Sequence, residues 1–159
     1  MGSTIREGGT QHWAEKALSL SNERWLKRAR GAALKRDRSK LTGIGLTHMP
    51  ALYSYGGPKA LELNGGQQRF WNIVDEYNRL VEDAVQKASK SFVDAQVGIA
   101  PHSLRATIPE DLGKILEHFP NVPVHIHIAE QPKEVTDIHA WLGARPVEWL
   151  LANHDVGEN

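Results

Sequence analysis

The sequence contains no cysteine among its 159 residues. This absence excludes disulfide bonds, cysteine zinc ligands and thiol nucleophiles, and it suits a reducing compartment, so we expect a cytoplasmic protein. Net charge is also absent, because 19 basic side chains balance 19 acidic ones, and no global field favours a membrane surface or nucleic acid. No apolar run approaches the roughly 20 residues of a membrane span. Residues 1–10 lack the apolar stretch of a signal peptide.

Composition divides the chain into three segments. Residues 1–11 are rich in glycine, serine and threonine, which predicts a disordered N-terminus. Residues 12–42 form a basic segment with an uneven helical pattern, and residues 24–40 hold eight basic side chains and one acid. A solvated helix face accounts for this charge, while contact with a nucleic-acid backbone is the alternative. Residues 43–159 form the third segment, and their length suffices for one domain with a core.

Within the third segment, short apolar strands alternate with amphipathic helices. The predicted strands and helices, in chain order, are strand 44–50, helix 67–89, strand 97–101, a helix from a capping box at Thr107 to Pro120, strand 123–129, helix 132–142 and helix 146–152. Such alternation predicts an α/β fold with parallel strands joined by helical crossovers. Residues 54–66 form a long glycine-rich connection between them, which is either a functional lid or a plain surface loop.

The predicted strand 123–129 carries histidines inside an apolar pattern. Its β-branched residues alternate with His125 and His127, so both imidazoles should lie on one face. Glu130 follows where a helix signal begins. One interpretation is a metal-ligating histidine with a proton-transferring glutamate three residues later. The other is a pair of buried, hydrogen-bonded histidines and a helix-capping glutamate.

Polar residues follow all three predicted strands. They are His48 and Tyr53 after the first, His102 and Arg105 after the second, and His127 and Glu130 after the third. Functional residues of parallel α/β folds lie at the carboxyl ends of strands. The three occurrences together favour an active site at this edge of the sheet.

Several contiguous motifs resemble the formimidoylglutamate deiminase family of histidine degradation, within the metal-dependent amidohydrolase superfamily. They are Pro101-His-Ser-Leu-Arg-Ala106, His125-Ile-His-Ile-Ala-Glu-Gln131 and Gly143-Ala-Arg-Pro-Val-Glu-Trp-Leu-Leu151, supported by 43–50 and 52–57. The resemblance covers roughly residues 43–159 and implies a partial (β/α)₈ barrel that supplies about strands three to five.

The same resemblance assigns roles to individual residues. It implies that His127 is one zinc ligand, that Glu130 is the catalytic proton-transfer group, and that His102 and Arg105 bind substrate. His125 is then a supporting residue. The implied reaction is hydrolytic deimination of a small molecule, N-formimino-L-glutamate, to N-formyl-L-glutamate and ammonia.

The implied zinc site lacks most of its ligands in this sequence. The family's strand-one His-x-His would be a second copy of the pattern at 125–127, and no second copy occurs. A catalytic zinc takes about three protein ligands, and such a barrel takes about 250 residues. We therefore expect a truncated chain that is inactive alone and that self-associates through exposed strand edges.

Two other functions remain open from the sequence. One is another amidohydrolase deaminase, of the guanine or cytosine type. Arg105 discriminates between this enzyme and the deiminase, because a substrate with a carboxylate needs such a residue and a nucleobase does not. The other is a non-catalytic α/β module that binds a partner or nucleic acid through residues 24–40.

Overall fold

The computed structural model describes residue 41, residues 45–89 and residues 95–157. The predictions for residues 1–11 and for the basic segment, apart from Leu41, lie outside these ranges. Within them, no helix is both long enough and apolar enough to cross a membrane.

The first two strands of the sheet are parallel neighbours, each interrupted once. β1 (Leu46–His48) pairs with β3 (Ala95–Val97), and β2 (Ala51–Leu52) pairs with β4 (Ala100–Pro101). Between the two pairs the ladder continues, since the Gly98 N–H donates to the His48 carbonyl at 3.0 Å. The chain therefore forms two long parallel strands, as the alternating pattern predicts.

Proline explains the interruption in the first strand. Pro50 has no N–H to donate to a ladder, but its carbonyl accepts from the Ala100 N–H at 3.0 Å and from the Tyr77 hydroxyl at 3.0 Å. The predicted end of this strand at residue 50 is therefore wrong. The strand continues to Leu52, where it meets β4.

The third strand is less regular than predicted for residues 123–129. It contributes one parallel bridge, Ile99 with Val124. Beyond the bridge, the His125 N–H donates to the Ile99 carbonyl at 2.9 Å and the His127 N–H to the His102 carbonyl at 3.0 Å. This segment thus lies parallel to the second strand, without a regular ladder. Mixed α/β architecture with parallel strands is confirmed.

Four α-helices and one 3₁₀ helix accompany the sheet in the described ranges. They are the 3₁₀ helix Gln68–Phe70, α1 (Val74–Ala88), α2 (Pro109–His118), α3 (Pro132–Leu142) and α4 (Pro146–Asn153). The α1 helix connects the first strand to the second, and α2 connects the second to the third. Gly143 ends α3 with a φ of 78°, a left-handed conformation that glycine adopts without steric cost.

Two predicted helix starts are wrong for physical reasons. The predicted helix 67–89 breaks before Val74, because the buried Asn72 side chain bonds the Tyr53 N–H at 2.8 Å and the Ala51 carbonyl at 2.9 Å. The predicted capping box at Thr107 does not form. The α2 helix starts at Pro109 without a side-chain cap, and the buried Thr107 hydroxyl instead lies 3.4 Å from the Leu52 carbonyl.

The core lies between the sheet and the helices. Its fully buried members are Leu52, Tyr77, Val81, Ile99, Leu104, Leu112, Ile115 and Ile138. The amphipathic pattern of the predicted helix 67–89 agrees with the burial of Tyr77 and Val81 in α1. Phe70 and Ile73 have the same apolar spacing, but both are exposed, since they precede the α-helix. This packing fixes the strand ends relative to one another.

Candidate functional site

Three rings meet where the three strands end. Tyr53 follows β2, His102 follows β4, and His127 ends the third strand. The ring centroids of Tyr53 and His102 are 4.7 Å apart, and those of His102 and His127 are 5.0 Å apart. With Arg105 and Glu130, described below, these residues form a group that we call the rim.

His48, which was predicted at this edge, does not belong to the rim. It pairs with Val97 in the parallel ladder, which is five residues before His102 on the neighbouring strand. Because a strand rises about 3.3 Å per residue, His48 lies well below the strand ends. Tyr53, which was predicted at this edge together with His48, does lie at the rim, because the first strand extends past Pro50.

The two histidines of the third strand lie on one face, as predicted. The ring centroids of His125 and His127 are 5.2 Å apart. Both residues are exposed, whereas His102 beside them is half-buried. The interpretation that His125 and His127 are buried core histidines is therefore wrong.

His102 is held in a neutral state. Its Nδ1 lies 3.1 Å from the Ser103 hydroxyl. Burial lowers its pKa first, electrostatic interactions with His127 and Arg105 lower it further, and Glu130 opposes the shift. A neutral imidazole has one N–H donor and one acceptor nitrogen. Because Nδ1 faces Ser103, Nε2 is the nitrogen left to donate to or accept from a bound molecule, according to the tautomer.

Arg105 and Glu130 form an ion pair at the rim. The Arg105 Nη2 lies 3.3 Å from the Glu130 Oε2, and the Glu130 side chain is 60% exposed. Behind this pair, the Arg105 Nε lies 3.6 Å from Oε2 of Glu134, whose side chain is fully buried. The guanidinium therefore lies between an exposed carboxylate and a buried one.

The glycine-rich connection 54–66 is attached to the rim. The Gln67 amide donates to the Tyr53 hydroxyl at 3.0 Å and to the Gly56 carbonyl at 3.1 Å. A Cβ at Gly56 would lie 2.1 Å from the Glu62 carbonyl oxygen, so only glycine fits there. These hydrogen bonds hold the connection beside Tyr53.

The rim residues do not complete a metal site. In the part of the chain that the structure describes, no group of three or more histidine, aspartate or glutamate side chains is arranged to hold a metal ion. The His127 ring contacts the His102 ring and the His125 ring edge to face. Since a catalytic zinc takes about three protein ligands, His127 can supply one of them and the donor set is incomplete.

Two residues near the rim were not predicted from the sequence. Glu134 contacts Arg105, and Gln67 bonds Tyr53. Glu134 gives a weak signal, because it is a carboxylate in the first turn of the helix that follows Glu130. Gln67 gives none, because its partner becomes visible only when the first and second strands pair.

A cavity of about 590 Å³ lies apart from the rim. Its lining is mostly apolar and includes none of the rim residues. It comes from Pro101 in β4, α2, residues 119–126, α4 and residues 154–157.

The sequence of this chain is similar to that of a curated enzyme. No protein-family model matches the sequence. A formimidoylglutamate deiminase from Pseudomonas aeruginosa is 42% identical over 117 residues, which are 73% of this chain and 25% of that enzyme. The chain therefore spans about a quarter of the length of the curated relative it matches.

Solved structures give the same picture of the fold. An amidohydrolase from Brucella melitensis matches with a TM-score of 0.71 and 45% identity, over 76% of this chain and 27% of that one. An adenosine deaminase from Xanthomonas campestris with bound zinc matches with a TM-score of 0.56 and 20% identity, over 77% of this chain and 26% of that one. The second likeness shows the fold alone.

Proposed function

We propose, from the confirmed resemblance of this chain to part of a formimidoylglutamate deiminase, that it is a segment of an enzyme that hydrolyses N-formimino-L-glutamate to N-formyl-L-glutamate and ammonia. By family the chain is related to hydrolases. The observation that supports this specific reaction is a group of four polar residues at one edge of a parallel sheet. They are His102, Arg105, His127 and Glu130. The lack of cysteine supports a cytoplasmic setting.

We propose that the sheet is about strands three to five of a (β/α)₈ barrel. Three neighbouring parallel strands with helical connections support this, as does the amidohydrolase likeness over 27% of that structure's length. A (β/α)₈ barrel takes about 250 residues, which exceeds the 159 present.

Arg105 is the proposed carboxylate-binding residue. A guanidinium binds a carboxylate through two parallel N–H donors, and Arg105 already contacts the Glu130 and Glu134 carboxylates. A substrate carboxylate would replace the exposed one, because displacing Glu130 breaks only a weak surface ion pair.

His102 and Glu130 have the proposed polar and proton-transfer roles. The lowered pKa of His102 keeps its ring neutral, so it would hydrogen-bond the substrate beside Arg105. Glu130 would accept a proton from the attacking water and pass it to the leaving ammonia. Its largely exposed side chain can move once a ligand takes its place on Arg105.

His127 has the proposed role of one zinc ligand. Because the described residues do not complete the donor set, hydrolysis requires ligands from outside them. We therefore expect the isolated chain to bind the product but to release no ammonia from N-formimino-L-glutamate. Measurable ammonia release by the purified chain would contradict this expectation.

Titration calorimetry with N-formyl-L-glutamate tests the proposed substrate class. We expect Arg105→Gln to weaken binding about tenfold or more, because charge-assisted bidentate bonds are lost. Arg79→Gln is the matched control, since Arg79 is an exposed arginine of α1 that bonds its own helix. Equal affinity of wild type and Arg105→Gln for N-formyl-L-glutamate would contradict the assignment of Arg105 as the carboxylate-binding residue. Binding of guanine or cytosine that does not depend on Arg105 would favour a nucleobase deaminase.

Self-association is a further part of the proposal. Residues 124–127 pair with the second strand, and in the part of the chain that the structure describes no strand pairs with them on their other side. An open strand edge can pair with another chain. Light scattering tests this, and a monodisperse monomer at high concentration contradicts it.

A further inference from the structure

Glu134 is a buried carboxylate that contacts two rim residues through one oxygen atom. Its Oε2 accepts the Glu130 backbone N–H at 3.1 Å and lies 3.6 Å from the Arg105 Nε. The residue is 1% exposed. Among the described residues, neither its Oε1 nor the Arg105 Nε has a hydrogen-bond partner. Burying a charge costs free energy unless the charge is paired. The burial of Glu134 therefore needs an explanation, and the contact with Arg105 is part of it.

Local backbone structure brings Glu134 to this position. Ala129 has a φ of 55°, a left-handed conformation that is unusual for a residue other than glycine. It lies between His127 at the strand end and Glu130, whose N–H bonds the first turn of α3. The amino end of a helix favours a negative charge, which lowers the cost of the buried carboxylate.

The two carboxylates hold Arg105 in different ways. Glu130 contacts Nη2 from the exposed side, whereas Glu134 contacts Nε from the buried side. A ligand that enters from solvent can therefore displace the first contact and leave the second in place.

We propose that Glu134 is a positioning residue, which fixes the Arg105 guanidinium against the Glu130 backbone so that the outer nitrogens of Arg105 can exchange the Glu130 carboxylate for that of a ligand. The replacement of the Glu130 carboxylate by that of a ligand rests on the function proposed above. The positioning itself is a property of the chain without ligand, so it can be tested alone.

Two substitutions separate the two contacts of Glu134. Glu134→Gln keeps an oxygen that can accept the Glu130 N–H, but it removes the charge that faces Arg105. Glu134→Ala removes both. Asp111→Asn is the matched control, because Asp111 is also a buried carboxylate in the first turn of a helix, and its contacts are with Lys114 at 3.6 Å and with the Tyr55 side chain.

The measurements are amide hydrogen exchange at Glu130 and the NMR signal of the Arg105 Nε–H, both without ligand. We expect Glu134→Gln to leave the Glu130 exchange near wild type while it shifts the Arg105 Nε–H signal, because the charge that faces this group is lost. Glu134→Ala should shift the Arg105 signal and also speed the Glu130 amide exchange about tenfold, and Asp111→Asn should change neither.

Three results would overturn the positioning role. They are an unchanged Arg105 signal in Glu134→Gln, an unchanged Glu130 amide in Glu134→Ala, and equal changes in Asp111→Asn. If Glu134→Ala does not fold, the contrast between Glu134→Gln and Asp111→Asn decides. Failure of wild type to bind N-formyl-L-glutamate would refute the proposed function but would leave these ligand-free results standing.

Discussion

The ring of His102 lies edge-on to the ring of His127, with their centroids 5.0 Å apart and their planes at 89°. This contact joins the ends of two neighbouring strands, and it has a consequence for pH. Burial, then electrostatic interactions with His127 and Arg105, lower the pKa of His102. The unfolded chain therefore binds more protons than the folded chain between about pH 6.5 and the lowered pKa.

The free energy of unfolding should consequently fall as pH decreases through that interval. His102→Gln should make the fall shallower, because glutamine does not titrate. Denaturant unfolding at several pH values measures both slopes. Burial also lowers the pKa of His154, so His154→Gln should reduce the slope independently. Identical slopes in wild type and His102→Gln would refute the assignment to His102.

Gly98 and Gly113 should respond in opposite ways to alanine. A Cβ at Gly98 would lie 2.4 Å from the Pro123 carbonyl oxygen, whereas one at Gly113 in α2 would meet nothing within 4 Å. Gly98→Ala should destabilise by about 2 kcal/mol or more through overpacking. Gly113→Ala should stabilise by about 0.5–1 kcal/mol through helix propensity. Thermal unfolding compares them, and a neutral Gly98→Ala contradicts the close approach of the strands.

Asn72 should be more sensitive to truncation than Asn78. The Asn72 side chain bonds the Tyr53 N–H and the Ala51 carbonyl, so Asn72→Ala leaves two partly buried backbone groups unpaired and should cost about 2–3 kcal/mol. Asn78 is the control, because its Oδ1 is buried without a hydrogen-bond partner in the described ranges. Asn78→Ala should change stability by about 0.5 kcal/mol or less. Equal losses in the two variants would show that the Asn72 bonds contribute nothing.

Tyr77→Phe tests the interruption at Pro50. The Tyr77 hydroxyl donates to the Pro50 carbonyl and accepts the Ala100 N–H, each at 3.0 Å. Burial raises the pKa of this hydroxyl, which keeps it protonated as a donor. Loss of the hydroxyl should lower the free energy of unfolding by about 1–2 kcal/mol. It should also speed amide exchange at Ala100. Unchanged exchange there would mean that the hydroxyl does not support the strands.

The sequence contains enough information for the main elements and for most of the rim. Strand ends coincide with His102 and His127, and the cap at Gly143 is visible as a glycine after an apolar periodic run. These features depend on local chemistry, which periodicity and residue type report directly. The roles of His102, Arg105, His127 and Glu130 stay predictions.

The features that were missed depend on contacts distant in sequence. Asn72 leaves the helical pattern because it bonds residues near 52, and Thr107 leaves its capping role because it faces Leu52. Glu134 contacts Arg105, which follows the preceding strand and lies 29 residues earlier in the chain. A pattern along the chain cannot show these partners, since each exists only after the strands pair.

The parallel pairing has a consequence for how the chain folds. Leu46 pairs with Ala95, about fifty residues later, so the first ladder forms only after a long loop has closed. Loop closure costs entropy before the contacts repay it, and folding dominated by such contacts is slow. Local helices such as α1 and α2 can form sooner, which makes the assembly of Tyr53 with His102 a late event. Any change that delays strand pairing should therefore slow the appearance of the rim more than that of the helices.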